Sequence, residues 1–190
     1  MKRKTQAKRT ILIGGGVRSG KSAFALVRAQ ELGARRAFIA TAEAFDDEMR
    51  ERAARHREER GSAFVTIEAP RALVPALQQA SREAEVVVID CLTLWLSNLL
   101  LAGRDMAAIG ASVAQLDDAL AASPAHVVMV SNEVGMGIVP ESRLGRQFRD
   151  VAGHAHQRLS ARVDELYFAM MGQILRLRPA PIELRAHGRS

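Results

Sequence analysis

The sequence predicts an α/β domain built on a mainly parallel sheet with an antiparallel hairpin at one edge. Three observations lead there. Short β-branched runs alternate with longer helical patterns along almost the whole chain. The central runs, such as Val86-Val87-Val88-Ile89, are continuously apolar, as expected of strands covered on both faces. Only Met171-Gly172-Gln173 separates the last two runs, which is too short for a crossover and suits a hairpin.

In chain order, strands are expected at Thr10–Ile13, Arg36–Ala40, Ala63–Ile67 (the weakest pattern), Glu85–Asp90, His126–Val130, Glu165–Met170 and Ile174–Leu177. Helices are expected at 20–33, 46–60, 70–84, 92–102, 107–122 and 141–162. Asp46-Asp47 places negative charge at the start of the second helix, where the dipole favours it. Pro70, after Glu68-Ala69, suits the first turn of the third. Leu92, Leu94, Leu96, Leu99 and Leu100 read most simply as core, with Trp95 in core or interface.

At 190 residues, 48% hydrophobic and 25% charged, the chain has the composition of one ordinary globular domain, not of a disordered, collagen-like or coiled-coil chain. Its one cysteine, Cys91, excludes a disulfide scaffold and a Cys-rich zinc site, and fits a reducing compartment. The net charge of +6 sits in the ends. Lys2, Arg3, Lys4, Lys8 and Arg9 make residues 1–10 strongly basic, and Arg176, Arg178, Arg185 and Arg189 outnumber Glu183 over residues 176–190, so the body between is mildly acidic. That distribution, with few aromatics, argues against nucleic-acid binding. The apolar runs are too short for a signal segment or a membrane span, so a cytoplasmic protein is expected. The domain is expected to span 10–178, with 1–9 and 179–190 as flexible basic tails.

Gly15-Gly16-Val17-Arg18-Ser19-Gly20-Lys21-Ser22 satisfies G-x-x-x-x-G-K-[ST], with a strand feeding it and a helix leaving it. Glycines let backbone N–H groups wrap a phosphate, and the helix start aims its positive end at the same anion. Lys21 is expected to reach the β- and γ-phosphates and the Ser22 hydroxyl to ligate Mg²⁺. Asp90, a carboxylate ending a buried-type strand, is the expected second metal group, though it also suits a helix cap before Leu92. The fold is therefore expected to be a three-layer P-loop NTPase type, a class that spans kinases, ATPases and GTPases.

Ala40-Thr41-Ala42-Glu43 follows the second strand, and His56 lies in the next helical pattern on one face with Arg52, Ala53 and Arg60. Taken alone, such a histidine reads as a solvated surface residue. As a nucleophile it has the merit that arginine neighbours favour its neutral form. The arginines are candidate ligands for phosphate oxygens.

The phosphate loop, Ile39-Ala40-Thr41-Ala42, Asp46-Asp47-Glu48-Met49 with His56-Arg57, Thr66-Ile67-Glu68, Asp90-Cys91-Leu92-Thr93 and Ser131-Asn132-Glu133-Val134-Gly135-Met136-Gly137-Ile138-Val139-Pro140-Glu141 follow in order. Arg149-Asp150-Val151-Ala152-Gly153 and Gln157-Arg158-Leu159 come after them. This series resembles the bifunctional adenosylcobinamide kinase/adenosylcobinamide-phosphate guanylyltransferase family of cobalamin biosynthesis, over about residues 10–178.

The resemblance implies that the chain phosphorylates adenosylcobinamide with a nucleoside triphosphate (ATP or GTP). It then transfers GMP from GTP to the product through a guanylylated histidine matching His56, giving adenosylcobinamide-GDP and pyrophosphate. It further implies nucleotide contacts from Gly15 to Ser22, from Ala40, Thr41 and Ala42, and from Arg57, Arg60, Glu68 and Asp90, with Mg²⁺ at Ser22 and Asp90. A homotrimer is implied as well. Phe64 stands where the family usually has Trp, His156 where Asn is common, and Gly14 where Thr is frequent. Asn132, Glu133 and Arg143 are candidate ligand contacts beyond a strand end, with a turn-capping role as the alternative for Glu133. His154 and His156 are expected on the surface. The rival readings are a P-loop kinase without nucleotidyl transfer and a nucleotide-switched module that binds nucleic acid through its basic ends.

Overall fold

The continuously apolar runs become the middle of one twisted sheet. The computed structural model describes residues 7–43, 61–180 and 183–186. Its strands are β1 (Thr10–Gly15), β2 (Arg36–Ala40), β3 (Val65–Glu68), β4 (Val86–Asp90), β5 (His126–Val130), β6 (Glu165–Met170), β7 (Gln173–Arg178) and β8 (Glu183–Ala186). They lie in the order β3-β2-β4-β5-β1-β6-β7-β8. The first six positions of that order pair in parallel, and β7 and β8 are antiparallel. The described helices are α1 (Lys21–Leu32), α2 (Leu73–Glu83), α3 (Leu92–Leu101), α4 (Met106–Ala122) and α5 (Arg143–Arg162). The helix expected over 46–60 lies outside the described residues.

Alternate residues of each central strand feed two cores, which makes three layers. Val87, Ile89, Val127 and Met129 join Leu77, Leu92, Leu96, Leu116 and Leu159 from α2 to α5 on one face. Val86, Val88, Val128 and Val130 join Phe24, Ala25 and Ala29 of α1 on the other. Trp95 is buried, and its Nε1 donates to the Arg71 carbonyl at 3.1 Å. That bond explains one displaced boundary. The third expected helix starts at Leu73, not at 70, because the carbonyls of Pro70 and Arg71 accept from Asn98 and Trp95 of α3. The hairpin at the edge turns on Met171 (φ 51°) and Gly172 (φ 73°), the two positive-φ residues of a tight turn that matches strand twist.

At both ends, described residues outside 10–178 make contacts with the sheet. Lys8 donates to the carbonyls of Leu120, Ala121 and Ser123, which close the C-terminal end of α4 where a cation is favoured. Arg9 pairs with Glu165 at 2.8 Å. Arg178 does for α5 what Lys8 does for α4, donating to the carbonyls of Ser160 and Val163. After it the chain returns as β8, antiparallel to β7. Lys8, Arg9 and β8, expected in flexible tails, belong to the sheet and its helix caps, and Arg178, the last residue of the expected domain, caps α5. Among the described residues, no helix is long and apolar enough to cross a membrane.

Candidate nucleotide site

Parallel strands bring one row of residues to their carboxyl ends. Ala40 lies between Glu68 and Asp90 in register, and Asp90 lies opposite Val130, which pairs with Ile13. The phosphate loop leaves β1 at this edge. Gly15 has φ 149°, and a Cβ there would stand 2.3 Å from the Ala169 carbonyl of β6, so only glycine lets the loop leave against that strand. Arg18 (φ 54°) and Gly20 (φ 93°) are left-handed, which curls the loop into an anion cradle. α1 begins at Lys21 with no side-chain cap, leaving its first N–H groups to face the cradle.

Within the loop, Lys21 is buried and its Nζ donates to the Gly16 carbonyl at 2.9 Å. Ser19 Oγ is buried with no hydrogen-bond partner among the described residues. A buried orphan hydroxyl is costly, and a phosphate oxygen at the cradle is a fitting acceptor for it. Gly16, Val17 and Arg18 are exposed, so the loop is open to solvent. Ser22, in the first turn of α1, and Asp90, at the end of β4, are both half-buried. A hydroxyl and a carboxylate are hard oxygen donors, a set that suits Mg²⁺ completed by nucleotide oxygens and water. Among the described residues, no cluster of three His, Cys, Asp or Glu forms a ready-made metal cage.

The wall beside the loop is held by backbone bonds. Thr41 is fully buried, and its hydroxyl both accepts from the Cys91 N–H and donates to the Cys91 carbonyl, each at 2.7 Å. That side chain ties β2 to β4, and the Thr41 backbone is engaged as well, its N–H donating to the Asp90 carbonyl at 3.2 Å and its carbonyl accepting from Asn98 at 2.8 Å, while Ala42 is exposed. Burial, and next the charge of Asp90, push the Cys91 thiol up to about 11, so it is inert at neutral pH. On the other side, Ser131 N–H donates to the Ile13 carbonyl (3.0 Å) and Glu133 N–H to the Gly15 carbonyl (2.9 Å), which fastens the segment after β5 to the phosphate loop. The Glu133 carboxylate accepts from Gly135 N–H, the turn-capping role.

His156 corrects its expected surface placement. Its Nε2 lies 2.6 Å from Ser131 Oγ and its Nδ1 lies 3.9 Å from Glu133. Burial lowers its pKa below the ordinary imidazole value, against the opposing charge of Glu133. The sequence did hold a signal for this. His156 follows Ala152 by four residues and precedes Leu159 by three, and both are on the buried stripe of α5. His154 is exposed, as expected. Arg149, noted in the sequence only as part of the family-like series, and Arg146, not singled out by sequence, hold the carbonyls of Gly135, Ile138, Pro140 and Glu141. His56, Arg57 and Arg60 lie outside the described residues. Two clefts, of about 250 and 280 Å³, run along α5 and not over the phosphate loop.

A parallel sheet with a phosphate cradle between β1 and α1 defines a P-loop nucleotide-binding fold. Solved structures agree: the RadB recombinase covers 93% of this chain and 86% of its own at TM-score 0.52 and 15% identity. A prototypical ATPase of the type III secretion system of pathogenic bacteria matches at TM-score 0.50 and 16% identity, over 86% of this chain and 51% of its own. Those likenesses speak for the fold alone.

The family model for cobinamide kinase/cobinamide phosphate guanyltransferase matches residues 11–177, and the chain belongs to that bifunctional enzyme family. The bifunctional adenosylcobalamin biosynthesis protein CobP of Pseudomonas aeruginosa is 40% identical to it, over 90% of this chain and 98% of the relative. The corresponding CobU proteins of Escherichia coli and Salmonella typhimurium are 40% and 39% identical, over 85% of this chain and 96% of each relative.

Proposed function

We propose that this chain catalyses both family reactions: phosphorylation of adenosylcobinamide by a nucleoside triphosphate, then GMP transfer from GTP through His56. The products are adenosylcobinamide-GDP and pyrophosphate. The observation that carries the reading is the open cradle at the carboxyl edge of the sheet, with Lys21 folded into it and an unpartnered Ser19 hydroxyl, in a chain of this family.

In this reading Gly15 to Ser22 hold the triphosphate, with Ala40, Thr41, Ala42 and Glu68 along the nucleotide and Arg57 and Arg60 on its phosphates. Lys21 leaves the Gly16 carbonyl to neutralise charge on the β- and γ-phosphates. In the kinase step the acceptor hydroxyl oxygen bonds to the γ-phosphorus and the nucleoside diphosphate leaves. In the second step a neutral His56 nitrogen bonds to the α-phosphorus of GTP and pyrophosphate leaves. The acceptor's phosphate oxygen then displaces the imidazole. Ser22 and Asp90 are the residues that would hold Mg²⁺, which when bound supplies further positive charge at the phosphates. The assembly is a homotrimer, which light scattering checks.

Incubation with adenosylcobinamide and either ATP or GTP, with products separated by chromatography, tests the reading. Adenosylcobinamide phosphate is expected from the native chain, and adenosylcobinamide-GDP with pyrophosphate when GTP is present. His56→Ala should stop at the phosphate. A GDP product from His56→Ala would remove the histidine from the route, and the absence of any GDP product from the native chain would leave a kinase alone.

A further inference from the structure

Large apolar side chains held in solvent on an ordered backbone are uncommon in soluble domains and mark binding surfaces when they cluster. The segment 135–140 is such a case. Arg149 donates to the carbonyls of Gly135 (2.6 Å) and Ile138 (2.7 Å), and Arg146 to those of Pro140 (2.9 Å) and Glu141 (2.6 Å). These bonds tie the segment down by its backbone, yet Met136 is 83% and Ile138 95% exposed, with Val139 exposed beside them. The same holds for Val17 in the phosphate loop (73%) and for Met171 at the hairpin turn (94%), with Met170 next to it.

These three segments converge on one glycine. The Glu133 N–H donates to the Gly15 carbonyl, and Gly15 pairs with Ala169 of β6. Val17 lies two residues past Gly15, Met171 two past Ala169, and Met136 three past Glu133. At no more than about 3.6 Å per residue, Val17 and Met171 lie within about 7 Å, and Met136 within about 11 Å, of residues fastened to Gly15, with Ile138 and Val139 following Met136.

We propose that this apolar rim seats the corrin macrocycle of the acceptor. The proposal rests on the bifunctional reading above and deepens it. The acceptor's reacting oxygen has to reach a phosphorus held at the loop, so the bulk of the acceptor must lie on whatever surrounds the loop. A corrin ring carries many peripheral methyl groups among its amide side chains, for which Met, Ile and Val are suited partners, whereas the triphosphate of a nucleotide is a polyanion that gains nothing from them. Methionine adds the adaptability that an irregular macrocycle needs.

The test uses the full chain, with Met136→Ser/Ile138→Ser as one variant and Met171→Ser as a second. All three side chains are exposed, so neither variant removes core. Adenosylcobinamide binding is followed by equilibrium dialysis through corrin absorbance, with a non-hydrolysable GTP analogue present. The analogue's own affinity and the mass of the assembly are measured alongside. The double variant should weaken adenosylcobinamide binding by about tenfold or more, and Met171→Ser should weaken it by a smaller factor. Analogue affinity and assembly mass should stay unchanged. Unaltered adenosylcobinamide binding overturns the proposal and leaves the bifunctional reading intact. A loss that follows a fall in assembly mass also overturns it, because it assigns the rim to contact between copies of the chain. A native chain that binds the analogue but neither binds nor phosphorylates adenosylcobinamide overturns the bifunctional reading itself.

Discussion

At the amino ends of β1 and β6, Glu165 is enclosed by Arg9 (2.8 Å), both oxygens are met by Arg28 (2.9 and 3.0 Å), and Tyr167 donates its hydroxyl at 2.6 Å. Close by, Thr10 N–H donates to Asp164, Arg9 N–H to His126, and Ala34 and Arg35 N–H to Glu85. At the carboxyl ends of the same strands the pattern reverses. A serine hydroxyl is buried without a described partner, the α1 start carries no side-chain cap, and apolar side chains stand in solvent. At the amino end the charged groups meet one another within the chain, although the Nε atoms of Arg28 and Arg36 are buried without a described partner, so changes there should act on stability. The carboxyl end leaves groups for a ligand to satisfy, so changes there should act on turnover.

The sharpest way to break that division is at its most buried charge. Glu165→Gln leaves two arginines facing a neutral amide and should cost about 3–5 kcal/mol of stability in urea unfolding, with turnover per folded molecule unchanged. Burial alone would raise the carboxyl's pKa. The Tyr167 hydroxyl and the guanidiniums of Arg28 and Arg9 outweigh that and hold it below the ordinary 4.5. Its contribution is therefore full above that pH and lost as the pH falls through the lowered value, an acid limb that Glu165→Gln should abolish.

Next in size is the opposite case. Lys21→Met should lower kcat by about 10²–10³ while unfolding stays near the native midpoint, since a buried cation is replaced by an apolar chain of similar length. A large stability loss there would blur the two ends.

The smallest effect is expected at His156, which joins the site segment to α5. His156→Ala leaves the Ser131 hydroxyl without its partner and should cost about 1–3 kcal/mol, with His156→Gln recovering part of it. Because burial lowers this imidazole's pKa, its contribution is full above pH 6.5 and declines as the pH falls below that value. The decline should be absent in His156→Gln.

The fold was legible because its signals are local. Val86–Ile89 and Val127–Val130 announce buried parallel strands, and the 171–173 gap announces the hairpin. What stayed hidden depends on partners distant in sequence. Nothing near Lys8 or Arg178 says that they cap α4 and α5, since the carbonyls they meet are brought close only by the finished sheet. β8 was masked by the basic composition around it. At the site, G-x-x-x-x-G-K-S located the cradle because its spacing is its geometry. The bond of the Thr41 hydroxyl was not legible, since a small polar residue at a strand end can equally serve a ligand or the neighbouring strand, and here its hydroxyl closes on Cys91 across 50 residues.

The claim on which the account turns is covalent transfer through His56. The direct measurement is intact-protein mass after incubation with GTP and Mg²⁺, comparing the native chain with His56→Ala. One acid-labile GMP adduct is expected on the native chain and none on the variant. An adduct on both, or none on a native chain shown to bind GTP, would contradict that transfer.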